Sequence, residues 1–466
     1  MFDLIGFITD FINLTLLAPF LLWLIIIAVS FLLIIKNSSP QKIFLVDFAC
    51  YKPPESQTIT KEGTVALAVE CYGNILRKES VDFMRNTIQR SGLGEYTYLP
   101  EAFLKRRPNA SMEDGRSESQ LAIFGAVDKL LAKTRVEARD IGILVVNCGL
   151  FCVTPLSSIV VNRYKMKEDV MSYNLSGMGC TAGLLAINLA KHLLQVHHNC
   201  YSYVLVVSTE SISQQCYTGN DPSKIIINCA FRVGGAAMLL SNRPSDQYSS
   251  KYQLLHTIHT HTANSNKSYG CITMEEDAEG HLGVTVNKDL LSAAVKATQS
   301  NIASLAPLIL PVPEQVRYLL NYIARRLPVG ADFEPYVPDF KRGIDHFLAH
   351  VGGKPVLDAL QKKLGFMEGH MEASRMTLYR YGNTSSSSVW YALAYIEAKW
   401  RISRGDRVWQ MGFGSGFKVC SVIWRAIRSV DPRDEVNANV WSDEIDKFPV
   451  DTNDLRHNSP FYFSPN

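Results

Sequence analysis

An α/β fold, with a parallel or mixed sheet covered by helices and laid out in two similar halves, is what this chain predicts. Continuous β-branched runs such as Ile141–Asn147 (IGILVVN) and Tyr203–Ser208 (YVLVVS) have the length and composition of strands buried on both faces. Helical patterns alternate with them, Ser117–Lys133 and Thr181–Leu194 in the first half, Lys354–Leu364 and Val389–Trp400 in the second. Such alternation calls for a sheet with helical cover. Each half also closes on a strand beside glycines: Gly234-Gly235 precede Ala236–Ser241, and Arg407–Met411 runs into Gly412-Phe413-Gly414-Ser415-Gly416-Phe417.

In chain order, residues 1–40 read as a membrane anchor, 41–245 as the first half, 246–430 as the second, and 431–466 as a polar tail. Residues 14–35 form an uncharged apolar run, and at about 1.5 Å per residue it spans a hydrocarbon core of about 30 Å. A cleaved signal peptide would need a basic start and a shorter apolar core. Here Asp3 and Asp10 precede the run. Residues 4–8 (LIGFI) either lie at the interface or begin a second short span. Lys36, Lys42 and Lys52 follow the run and no basic residue precedes it, which places the rest of the chain on the cytosolic side.

Among 466 residues, 47% hydrophobic and 20% charged, the net charge is only +3. That is too little to recruit nucleic acid, and Lys105-Arg106-Arg107 is a short cluster ended by Pro108. The ten cysteines show no disulfide spacing. Cys148 and Cys152 lack a second ligand pair, so no metal site is expected. Most of the cysteines read as small buried apolar residues.

Cys180 is the exception. It lies in Asn174-Leu175-Ser176-Gly177-Met178-Gly179-Cys180-Thr181-Ala182-Gly183, ahead of a helix. The glycines permit a sharp turn, and a helix N-terminus favours a thiolate, which would make an acyl-accepting nucleophile. On spacing alone, a lone cysteine in such a turn is more often structural. His350, in His346-Phe347-Leu348-Ala349-His350-Val351-Gly352-Gly353, and Asn383, in Tyr381-Gly382-Asn383-Thr384-Ser385-Ser386, are the candidate partners. The plainer readings are core histidines and an N-cap asparagine.

Taken in order, NLSGMGCTAG, the HVGG turn and GNTSSSSVWY resemble the plant-type 3-ketoacyl-CoA synthases of very-long-chain fatty acid elongation. So do LVDFACYKPP (Leu45–Pro54), ILVVNCGLF (Ile143–Phe151), VNRYKM (Val161–Met166) and VWSDEIDKFPV (Val440–Val450). The resemblance covers essentially the whole chain. It implies a thiolase-like fold of two βαβαβαββ halves in five layers, commonly a homodimer. It also implies an endoplasmic reticulum location facing the cytosol, beside a ketoacyl reductase, a dehydratase and an enoyl reductase.

The implied reaction condenses acyl-CoA with malonyl-CoA, with no cofactor. Cys180 would carry the acyl chain, while His350 and Asn383 bind the malonyl thioester oxygen. The N–H of Cys180 and one from Gly414–Ser415 would hold the oxyanion, with His261 and His346 as supporting histidines. The chain departs from the family pattern at Tyr379, where a histidine is common, and at Lys354-Pro355. Asn264-Ser265-Asn266 also replaces a commoner acidic run.

Other readings share parts of this pattern. Papain-like proteases have the order Cys, His, Asn, but a different cysteine motif. A type III polyketide synthase shares the fold and the triad, but normally lacks an anchor. A catalytically silent membrane scaffold of the elongase complex would not need an intact triad. The apolar segments Ile302–Val312 and Val389–Tyr395 are candidates for lining an acyl tunnel, and core packing explains them equally well.

Overall fold

Nine strands form the main sheet of the computed structural model, which describes residues 41–105, 111–149, 154–196, 202–326, 334 and 336–450. They are β1 (Ile43–Cys50), β2 (Ile141–Asn147), β3 (Met171–Leu175), β4 (Tyr203–Thr209), β5 (Gly235–Ser241), β6 (Tyr252–His261), β7 (His346–Ala349), β8 (Arg407–Gly414) and β9 (Lys418–Ala426). Their order across the sheet is β7-β8-β9-β6-β1-β5-β4-β2-β3.

The pairings repeat from the middle outwards. β1 is antiparallel to β5, β5 to β4, and β4 runs parallel to β2. In the same sequence, β6 is antiparallel to β9, β9 to β8, and β8 runs parallel to β7. The two series join where β1 and β6 pair antiparallel, with Ile43 opposite Leu254. β3 extends the first series beyond β2. Both series belong to one compact unit that begins at Ile43.

Helices cover the sheet because its strands are apolar on both faces. In β2, Ile143 and Val145 meet Leu184 and Ile187 of α2 (Ala182–Val196). Leu144 and Val146 point the other way, towards Ile123 and Val127 of α1 (Met112–Thr134). In β9, Cys420, Val422 and Trp424 face the first of these cores. Val419 and Ile423 face Leu305 and Ile309 of α3 (Leu290–Ile309). Four more helices follow: α4 (Val312–Ala324), α5 (Lys354–Leu364), α6 (Glu368–Tyr381) and α7 (Ser388–Ala398). α7 is buried at every position, which accounts for its being apolar nearly all round. Of the segments considered for an acyl tunnel, Val389–Tyr395 is wholly buried, whereas Ile302–Val312 buries Leu305, Ile309 and Leu310 and exposes Leu308 and Val312.

One expectation needs correction and a second is narrowed. The glycine-rich segment after Arg407–Met411 is not all turn, because Gly412–Gly414 complete β8 and pair with β9. The tail from 431, read as either a weakly structured wrap or an exposed end, is a wrap, and a firmly docked one. Trp441 is fully buried, stands edge-on to Tyr381 and Tyr395, and donates its indole N–H to Tyr391 O at 2.9 Å. Asn439 donates to Ala394 O at 3.0 Å. This segment therefore closes over α7 as far as Val450, and 451–466 lie outside the described residues.

The anchor at 14–35 also lies outside them, and among the described residues no helix is long and apolar enough to cross a membrane. Cys50, Cys180, Cys216, Cys229, Cys271 and Cys420 are free thiols.

Where the two series join, Lys251 is fully buried between Asp47 (3.0 Å) and Glu397 (2.9 Å). Tyr252 also donates to Glu397. Burial alone would raise the Asp47 pKa, but Lys251 and Lys133 outweigh it and hold the carboxyl below its ordinary range. Asp47 thus contributes stability at neutral pH that is lost as pH falls through its lowered folded value. Lys251→Met would strip the buried Glu397 of its ion pair and leave Asp47 the more distant Lys133. We expect it to cost about 3–5 kcal/mol in chemical denaturation.

Candidate active site

Cys180 occupies a short 3-10 turn, Gly179–Thr181, immediately before α2. Two contacts explain the small residues around it. A Cβ on Gly179 would come within 2.8 Å of Ser415 N, and one on Gly183 within 2.4 Å of Ser386 O. Gly179 also has φ +64, in the left-handed region that glycine tolerates. The Cys180 turn is thus wedged between the β8–β9 turn and the segment leading into α7, from the second half of the chain.

Asn383 is fixed by its backbone as well as its side chain. Its N–H donates to Ala230 O at 3.1 Å and its carbonyl accepts from Arg232 N at 3.0 Å, so the first half of the chain grips it from both sides. Its Oδ1 accepts from Ser385 N at 2.9 Å. That bond closes an Asx turn rather than capping α7, whose N-cap is Ser387. With Oδ1 so engaged, the amide NH2 is the end able to donate to a substrate.

His350 follows β7 and is buried. Its Nδ1 lies 2.7 Å from Ser388 Oγ on the first turn of α7. Burial lowers its pKa to about 4, offset slightly by a backbone contact with Ser385. The ring is therefore neutral at physiological pH. With Ser388 donating to Nδ1, Nε2 carries the hydrogen and can donate to a carbonyl oxygen. A reaction step that uses this ring as a donor should accordingly have its acid limb near pH 4, far below the ordinary histidine range. Ser388→Ala should slow that step about tenfold, the loss of one hydrogen bond. Ser388→Thr should restore most of the rate.

One residue joins these groups. Ser385 lies beside both Cys180 and His350, its side chain favouring the Cys180 thiolate and its backbone the charged form of the His350 imidazole. It closes the Asn383 turn and donates its hydroxyl to Glu210 at 2.9 Å. Its φ of 54 is in the left-handed region, a strained position for a side-chain-bearing residue. Glu210 is buried, and burial pushes its carboxyl up despite hydrogen bonds from Ser385, Gly149, Ser211 and Gln215. Next to Ser385, Ser386 donates to Asn147 at 2.7 Å, and Asn147 in turn donates to Ser208. Sequence reasoning did not single out Ser385, Ser388 or Glu210. A run of four serines reads as a helix start, and nothing local marks a glutamate 175 residues away as its partner.

The resting state of Cys180 differs from the expected thiolate. Although Cys180 keeps partial exposure, dense surroundings push its thiol up to about 12, and Glu210 adds to the rise. Desolvation outweighs the helix dipole, so the thiol is neutral before substrate arrives.

The remaining candidates divide. Gly414 and Ser415 lie against the Cys180 turn: a Cβ on Gly414 would meet Met178 O at 2.7 Å and Thr181 Oγ1 at 2.8 Å. His261 is exposed at the end of β6, opposite Lys418, with its Nε2 about 3.2 Å from the place of a Cβ on Gly416. That puts it beside the same turn. His346 begins β7 and pairs with Asp406 at 3.0 Å, about 13 Å along the strand from His350, so it does not share the site. Tyr379 packs on Gly94 and Phe448. Pro355 fits the first turn of α5, where its missing N–H has no cost. Cys148 is buried near Ser119 and Glu210, and Cys152 lies outside the described residues.

Fold and site together define a class, the thiolase-like condensing enzymes. Among solved structures, the chain resembles a fungal type III polyketide synthase, ORAS (TM-score 0.63, 17% identity, 82% of this chain and 99% of that one). It also resembles a type III pentaketide synthase from Neurospora crassa (TM-score 0.63, 18% identity, with the same shares). These likenesses concern the fold. Residues 35–327 match the profile of the FAE1/Type III polyketide synthase-like protein family. Residues 341–426 match the C-terminal part of 3-oxoacyl-[acyl-carrier-protein] synthase III.

Identity is 51% over 413 residues with 3-ketoacyl-CoA synthase 11 of Arabidopsis thaliana, covering 88% of this chain and 80% of the relative. It is 48% over 417 residues with probable 3-ketoacyl-CoA synthase 20 of Oryza sativa subsp. japonica, covering 89% and 79%. The chain belongs to the 3-ketoacyl-CoA synthase family.

Proposed function

We propose that the chain condenses a long-chain acyl-CoA with malonyl-CoA to give 3-oxoacyl-CoA, CO2 and free CoA, in very-long-chain fatty acid synthesis. The convergence of Cys180, His350 and Asn383 on Ser385 carries this reading.

In the first half-reaction the neutral Cys180 thiol attacks the acyl-CoA carbonyl and gives up its proton. CoA thiolate leaves and takes that proton. The tetrahedral oxyanion is held by the Cys180 N–H and the Gly414–Ser415 turn. In the second, His350 Nε2–H and the Asn383 amide donate to the malonyl thioester oxygen, and CO2 departs to leave an enolate. The enolate carbon attacks the Cys180 thioester, the sulfur is expelled, and one proton from solvent restores the thiol.

Supplying an acyl-CoA length series with labelled malonyl-CoA tests this reading. Label is expected in 3-oxo products of long chains. Label found only in acetyl-CoA, the product of decarboxylation without condensation, at every acyl length would refute condensation.

Several finer assignments belong to the same reading. The repeated strand pairings support two thiolase-like halves, 41–245 and 246–430, in a layered arrangement around α2 and α7. The run at 14–35 supports an anchor in the endoplasmic reticulum membrane with the site on the cytosolic side. A homodimer, and association with the reductases and dehydratase of elongation, follow from the family. The intact set of reacting groups favours an enzyme over a silent scaffold.

A further inference from the structure

We infer that α4 is an interfacial helix that lies on the lipid surface, a membrane contact separate from the apolar run at 14–35. Its polarity is inverted. The side chains that hold it to the protein are polar: Glu314 is buried and accepts from Tyr336 (2.6 Å), Asp339 N (3.1 Å) and Arg317 (3.1 Å). Gln315 donates to Pro307 O and Leu310 O, and Asn321 bonds Glu334 O and Tyr336 N.

The apolar side chains point outwards. Val312, Val316, Leu319, Leu320 and Ile323 follow the spacing of one helical face, and each is exposed, Leu320 at 62%. A helix facing water presents the opposite arrangement. The medium outside this face is therefore not bulk water.

Charge and aromatic placement decide for lipid over a protein partner. Arg325 and Arg326 close the C-terminal end of the helix, and the Arg326 guanidinium lies 4.4 Å over the Tyr322 ring. Tyr318 and Tyr322 stack at 6.3 Å and are also exposed. Basic groups beside apolar and tyrosine side chains match a boundary between anionic headgroups and acyl chains. On the anchor reading, the residues between Ile35 and Ile43 can extend no more than about 25 Å. The folded unit is then held continuously near a bilayer.

The test uses the full chain reconstituted in vesicles of phosphatidylcholine and phosphatidylserine. Photoreactive benzoylphenylalanine replaces either Leu320 or, as a comparison, Tyr248, which is 80% exposed. Each variant is first shown to retain the wild-type circular dichroism spectrum. Illumination should attach lipid at position 320 several-fold more than at 248. Equal capture at the two positions, attachment to a second copy of the chain, or attachment to its own 14–35 segment would each overturn the proposal. Failure of the anchor reading is seen separately, as an intact chain that alkaline carbonate strips from the vesicles.

Discussion

Cys180→Ser will abolish the formation of longer acyl products from labelled malonyl-CoA, a loss of roughly a thousandfold or more. The thiol is the group that becomes the thioester, and serine in the same turn is a far weaker nucleophile. The fold should be untouched. Serine is slightly smaller, Cys180 is partly exposed, and the Gly179 and Gly183 contacts that seat the turn do not involve the sulfur. Unchanged thermal unfolding with no elongation is the expected pair of results. Elongation at a normal rate would remove Cys180 from the reaction.

Asn383→Asp separates chemistry from architecture. Aspartate can still accept from Ser385 N and keep the Asx turn. It cannot donate to an enolate oxygen, and its charge repels one. Loss of one such donor costs on the order of 10²–10³ in rate, about 3–4 kcal/mol. Malonyl-CoA decarboxylation should fall by that amount, while acylation of Cys180, read by mass spectrometry, persists. Equal loss of both half-reactions would mean that Asn383 only shapes the turn.

Much of the fold could be read from the residues. The β2 strand and the α5 helix fall where the pattern puts them: β2 is an unbroken β-branched run, and α5 is bracketed by Gly353-Lys354-Pro355 and Gly365. The glycines around Cys180 were also legible, since close backbone approach is the usual reason for such spacing. Other features depend on the environment that a side chain meets after folding. The Cys180 thiol was expected as thiolate from its helix, yet burial decides its protonation. Ser385 and Ser388 look alike in the sequence, but one bridges four groups and the other sets a tautomer. Periodicity shows that α4 is amphipathic and is silent about which face turns inwards. Composition likewise marked the segment after 431 only as a polar tail, wrapped or exposed, because one tryptophan among charged residues does not announce that it will be buried.

That docked segment makes the chain sensitive to shortening from its far end. Trp441 fills a space among Tyr381, Tyr395 and Phe448, and loss of a buried aromatic costs about 3–5 kcal/mol, much of what a domain has in reserve. A premature stop just before this tryptophan would spare every reacting group and still leave α7, which positions them, without its cover. A reporter fused beyond Val450, by contrast, would leave that cover in place.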